Sequence, residues 1–130
     1  MSEAVNGPPE PDRLMEVRLD PLGIVRLTWS PGLQITDTLA RRAMELVDLT
    51  NTDRERPLLV DMTGTAALTR GARMTFTRRC SASRIALLGR SPVDRVIANF
   101  ALGVSSTPVP TRFFTSELAA VAWLRHGDPA

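Results

Sequence analysis

The chain contains no lysine and no tyrosine, only one cysteine and one histidine, and aromatics make up 5% of it. Each shortage removes a class of explanation. Cys80 has no partner for an internal disulfide, and neither an apolar secretory start nor an apolar run of membrane length is present, so a soluble, cytoplasmic domain is expected. One histidine (His126) and one cysteine cannot close a zinc site, nor make a nucleophile and base with a converging acid. No catalytic residue, metal or cofactor is therefore expected. Without lysine, all 16 cationic residues are arginine. Without tyrosine either, the isoelectric point is strongly basic although the formal net charge is only +2. That basicity overstates the case for nucleic acid. Arg70, Arg73, Arg78, Arg79, Arg84, Arg90 and Arg95 crowd the middle of the chain, but they form no single stripe and no reading module accompanies them, so specific nucleic-acid binding is not expected.

What is present is one domain's worth of alternating patterns. Residues 1–12 combine prolines, glycine and acids with little to bury and read as a flexible tail; residues 13–127 read as the domain and 128–130 as a second short tail. Met15, Val17 and Leu19 alternate with polar neighbours, as do Val25, Leu27 and Trp29. Asp20-Pro21-Leu22-Gly23 between them has the residues of a tight turn, so a β-hairpin is expected. Thr36 or Asp37 can cap a helix with Leu39, Ala43, Leu46 and Val47 on its inner face. Leu58-Leu59-Val60 and Ile85-Ala86-Leu87-Leu88 read as strands covered on both faces. Between them, Thr69 can cap a helix carrying Ala72, Phe76 and Cys80 inward. Ser91-Pro92 opens an unusually apolar helix with Val93, Val96, Ile97, Phe100, Ala101 and Val104, and Thr111–Phe114 gives a last strand. Thr115 or Ser116 caps a final helix with Leu118, Val121, Ala122 and Leu124. The order β-β-α-β-α-β-α-β-α predicts an α/β fold whose mixed sheet of about five strands is parallel in its later part, with about four helices.

The segment LLVDMTGTAALTRGARM (58–74) resembles the strand–loop–helix segment of STAS domains, the anti-anti-sigma-factor (SpoIIAA-like) fold. In that family the serine before the loop glycine is phosphorylated by a partner kinase. Thr69-Arg70-Gly71 holds the corresponding place, so the resemblance implies a STAS-like βα superhelix that has lost its phosphate acceptor to Arg70. A second likeness covers most of the chain from about Arg13. RIALLGRSPVDRVIANFALG and PVPTRFFTSELAAVAWLR resemble small bacterial proteins labelled STAS-like or SEC14-like. Ser91, Pro92, Val93, Arg95, Ile97, Asn99, Phe100, Thr115, Glu117, Ala119 or Ala120, Trp123 and Leu124 match their pattern.

Two sets of residues follow as candidate contacts. Thr69, Arg70 and Arg73 form a possible partner or anion loop, since amides opening a helix attract anions and arginine at a helix start is favourable only beside negative charge. The simpler role of Thr69 is a plain N-cap, and that of Asp61 an acceptor for loop amides. Val96, Phe100 and Val104 lie on a helix with more apolar surface than a sheet can cover, so they are expected to contact a second copy or to wall a ligand pocket. The expected protein is a non-enzymatic interaction or regulatory module, a homodimer open to another protein partner. The alternative is a binding protein for an apolar, lipid-like or anionic small molecule, with a concave pocket beside the helix from Pro92 to Val104.

Overall fold

A computed structural model describes residues 10–78, 80–102 and 109–127. The helices are α1 (Glu10–Arg13), α2 (Asp37–Thr50), α3 (Arg70–Phe76), α4 (Pro92–Leu102) and α5 (Glu117–His126). The strands are β1 (Met15–Leu19), β2 (Val25–Trp29), β3 (Gln34–Ile35), β4 (Arg56–Asp61), β5 (Ala67–Leu68), β6 (Ala82–Leu88) and β7 (Thr111–Phe114). Five strands form one sheet in the order β1-β2-β4-β6-β7, and β3 pairs with β5. β1 and β2 are antiparallel, and every later pair of the sheet is parallel. The anticipated mixed α/β sheet is thus present, with β4 directly beside β6.

The hairpin falls where the alternation places it. Asp20 adds to the turn chemistry: its Oδ1 accepts from the amides of Leu22 (2.8 Å) and Ile24 (3.0 Å), while its Oδ2 accepts from Arg26 Nε at 2.9 Å. Arg26 reaches onward to Glu117 at the start of α5. This chain of charges ties the hairpin to the last helix.

The two sheet faces are covered differently. One row across the sheet, Val17, Leu27, Val60, Leu87 and Phe113, faces α2, α3 and α4. The reverse side, with Leu59, Ala86 and Leu88, packs under Ala120, Trp123 and Leu124 of α5. α5 lies straight over β4, β6 and β7. On the front, α2 lies over β1 and β2, while α4 packs against α3, β5 and β7. The front of β4 and β6 therefore lies between helices rather than beneath one.

Several expectations are corrected. Residues 10–12, read as tail, join a helical turn in which Asp12 receives a fork of two hydrogen bonds from Arg42 (2.7 and 2.9 Å), because the guanidinium matches the carboxylate's two oxygens. Cys80 is not on α3: the helix stops at Phe76, where the hydroxyl of Thr77 donates to Met74 O (2.6 Å). The buried face of α5 is Ala120, Trp123 and Leu124, whereas Leu118 is 81% exposed, because the indole must reach the sheet beside Phe114. α2 buries Ala40 as well as Leu39, Ala43 and Val47, and leaves Leu46 half-buried. The pair β3–β5 was not anticipated, two residues being too few to show a period.

Candidate functional site

The loop from Asp61 to Thr69 follows β4 at the carboxyl end of the parallel strands, the end where open α/β sheets hold their ligands. Its backbone amides point to the question of anion binding. Met62 N donates to Leu88 O (2.9 Å), Thr63 N to Asp61 Oδ1 (3.0 Å) and Gly64 N to Asp94 Oδ1 (3.2 Å). Thr65 N donates to Met62 O (3.1 Å), Ala66 N to Leu33 O (2.9 Å) and Thr69 N to Ile35 O (3.0 Å). These donors are committed within the chain, so the loop is a stapled connection and not an open cradle for phosphate. Asp61 accepts a loop amide, as its place at the strand end suggested. Gly64 adopts φ +76°, a left-handed conformation that a side chain would strain, and its carbonyl accepts from the Gly32 amide at 2.8 Å.

Asp94 organises this corner, and its role was not singled out from the sequence. It stands on the first turn of α4, only 2% exposed, and Oδ2 accepts from the amides of Arg90 (2.8 Å) and Ser91 (3.2 Å). Its own amide donates to Ser91 Oγ (3.1 Å), closing a reciprocal helix cap. Burial alone would push its carboxyl upward, but the three amides and the Ser91 side chain outweigh burial and hold it below the ordinary value. The signal was legible as Ser91-x-x-Asp94, a capping pair; that the same carboxylate reaches back to Gly64 was not.

Thr69 caps α3, its Oγ1 accepting from Ala72 N at 3.1 Å. Arg70 is exposed on the first residue of that helix. Arg73 turns toward α4, its guanidinium 5.1 Å from the Phe100 ring centre. Negative charge at the α3 start comes from within: a Cβ on Gly71 would lie 3.1 Å from that of Asp37, whose Oδ1 accepts from Thr75 Oγ1. The two candidate sets thus meet through Arg73 and Phe100. Val93, Val96 and Phe100 form an exposed row on α4, with Met74 of α3 exposed beside Arg73. Val104 lies outside the described residues.

Behind the loop is an apolar cavity of about 110 Å³, bounded by α2, α3, α4 and the front of the sheet. Ile97 contributes from α4 and Cys80 from the approach to β6. Burial, followed by the negative charges of Asp48 and Glu55, pushes the Cys80 thiol up despite a hydrogen bond at Ala82, which disfavours a thiolate nucleophile. No group of three metal-ligating side chains occurs among the described residues, and no described helix is long and apolar enough to cross a membrane.

On the reverse face, Arg84 and Arg112 lie over the Trp123 ring at 5.1 and 5.7 Å, and Arg84 Nη1 donates to Trp123 O at 2.8 Å. Arg95 covers Phe113 at 4.7 Å. Of the mid-chain arginines, Arg73, Arg84 and Arg95 thus each cover a different aromatic ring.

No curated protein matches the chain. Among solved structures, an uncharacterised protein of the DUF3478 family from Shewanella loihica PV-4, with a SpoIIAA-like fold, is similar at 18% identity and a TM-score of 0.55, over 85% of this chain and 91% of that one. That likeness establishes the STAS-like fold. A protein of unknown function from Arthrobacter sp. FB24 is 54% identical over 85% of this chain and 99% of its own, with a TM-score of 0.36. Residues 18–127 match the family model described as Domain of unknown function (DUF7793), and the chain belongs to that family.

Proposed function

We propose that the protein is a non-enzymatic STAS-like interaction module that pairs with a second copy of itself through α4. The carrying observation is the row Val93, Val96 and Phe100, with Val96 67% exposed, on a helix that turns Asp94, Ile97 and Ala98 inward among the described residues. Water on such a row is unfavourable, and a twofold axis lets one row cover another without requiring a second kind of surface. Arg73 over Phe100 and exposed Arg70 give the row a cationic border. Because Arg70 stands where the resemblance places a phosphorylated serine, regulation in this reading works through occupancy of the surface and not through a phosphate at that position.

Light scattering coupled to size exclusion tests it. The wild type is expected at twice the monomer mass, and Val96→Glu, which adds charge at an exposed position and so spares the core, at the monomer mass. A wild-type protein that stays monomeric at about 100 μM, a hundredfold above a micromolar Kd, overturns the proposal.

A further inference from the structure

We propose that the cavity behind the loop is a binding site for a small uncharged molecule, an aromatic ring or short alkyl chain carrying one hydrogen-bonding group. Three observations lead there. The first is the packing of β6, an inner strand. Ala86 and Leu88 on its reverse face are buried under α5, yet Ile85 and Leu87 on its front are only partly buried, facing a gap that Val47, Phe76 and Ile97 also line. Protein interiors are close-packed, and a void in a domain of this size is destabilising unless something fills it.

The second is chemical. The described lining, which includes Leu58, Val60, Phe76, Ile85, Leu87 and Ile97, contains no ionisable group except the Cys80 thiol, whose neutral form burial favours. A charged ligand would be desolvated there without a counter-charge, so the site selects neutral molecules. The volume of about 110 Å³ sets the scale. An engineered apolar cavity of about 150 Å³ holds benzene, so this smaller space takes at most one small ring or a short chain and excludes a full-length lipid.

The third points to a polar handle. Thr65 lines the cavity, is 2% exposed, and its Oγ1 has no hydrogen-bond partner among the described residues. A hydroxyl buried in that way is unfavourable, and a ligand hydroxyl or carbonyl would satisfy it. Thr65 belongs to the loop stapled by Asp94 and Gly32, so an occupant would bear directly on that loop.

Phenol and benzene serve as matched neutral probes, titrated into the full chain and followed by amide chemical shifts in two-dimensional NMR. Saturable shifts at Thr65, Leu87 and Ile97 are expected, with phenol the tighter ligand. The near-isosteric Thr65→Val is expected to weaken phenol by about tenfold, the worth of one buried hydrogen bond, and to leave benzene unchanged. Ile97→Phe, which fills the space, is expected to abolish both. Absence of saturable shifts, shifts confined to exposed Val93 and Val96, or octanoate binding more tightly than phenol would each overturn the proposal. Phenol affinity unaltered by Thr65→Val would overturn the handle. Because these shifts are read whether the protein is monomer or dimer, the result is independent of the self-association through α4.

Discussion

The carboxylate of Asp94 accepts a hydrogen bond from the amide of Gly64, 3.2 Å away and 30 residues earlier in the chain. One oxygen holds the loop that leaves β4, and the other holds the turn that opens α4. A single buried side chain thus fixes both sides of the corner where the parallel strands end.

Replacing it is expected to be costly. Asp94→Ala leaves three amides without their acceptor and lowers unfolding free energy by about 2–3 kcal/mol. Asp94→Asn retains one carbonyl oxygen and loses about half as much. Urea denaturation reads this as a lower midpoint with an unchanged slope.

Asp94 and Asp20 are expected to make the protein acid-labile. Burial raises both carboxyls, but the amides and Ser91 around Asp94, and Arg26 with the Ile24 and Leu22 amides around Asp20, outweigh it and bring both below 3.8. The folded state therefore binds these protons less readily than the unfolded chain does. The resulting stability is fully present above the unfolded value of about 4 and is lost as the pH falls through it toward the lower folded values. Unfolding free energy is expected to be flat between about pH 7 and 5 and to fall below about pH 4, with a smaller fall in Asp20→Asn/Asp94→Asn.

Gly89 is required for want of space. A Cβ there would lie 2.7 Å from Asp94 Cβ and 2.9 Å from a ring carbon of Phe113. Gly89→Ala is expected to destabilise by about 1–3 kcal/mol through overpacking. Gly23 has no atom within 4 Å of a built Cβ, so alanine there strains only the backbone at φ +82° and is expected to cost about 1 kcal/mol. Thermal denaturation of the two variants should rank them in that order.

Arg84 should not be replaceable by lysine. Its planar group covers the Trp123 ring while donating to that residue's carbonyl. Arg84→Met and Arg84→Lys are both expected to lose about 1–2 kcal/mol, since an ammonium does not reproduce stacking and a directed hydrogen bond together. The comparison is read from chemical denaturation of the three proteins.

The strands and helix starts were legible because each is written locally. Met15 to Trp29 alternates around a proline turn, and Thr36, Thr69, Ser91 and Ser116 announce helix starts by their hydroxyls. What depends on how elements are placed was not legible. Among the described residues of α4, Asp94 and Ala98 are buried and Ile97 packs against the core, while Val93, Val96 and Phe100 of the same apolar band face outward, a division that hydropathy alone does not give. The cavity lies where α2, α3 and α4 meet the front of the sheet, a gap set by how the helices are placed. Trp123 fell within the expected final helix, but its burial with Ala120 was obscured by the competing spacing of Leu118, Val121 and Ala122.

Among the described residues, α5 is the helix that covers the reverse of the sheet. Without residues 117–126, Ile24, Leu59, Ala86 and Leu88 on that side would face water. Truncation within that helix is therefore expected to send the product to chaperones or aggregates rather than leave a shortened native fold.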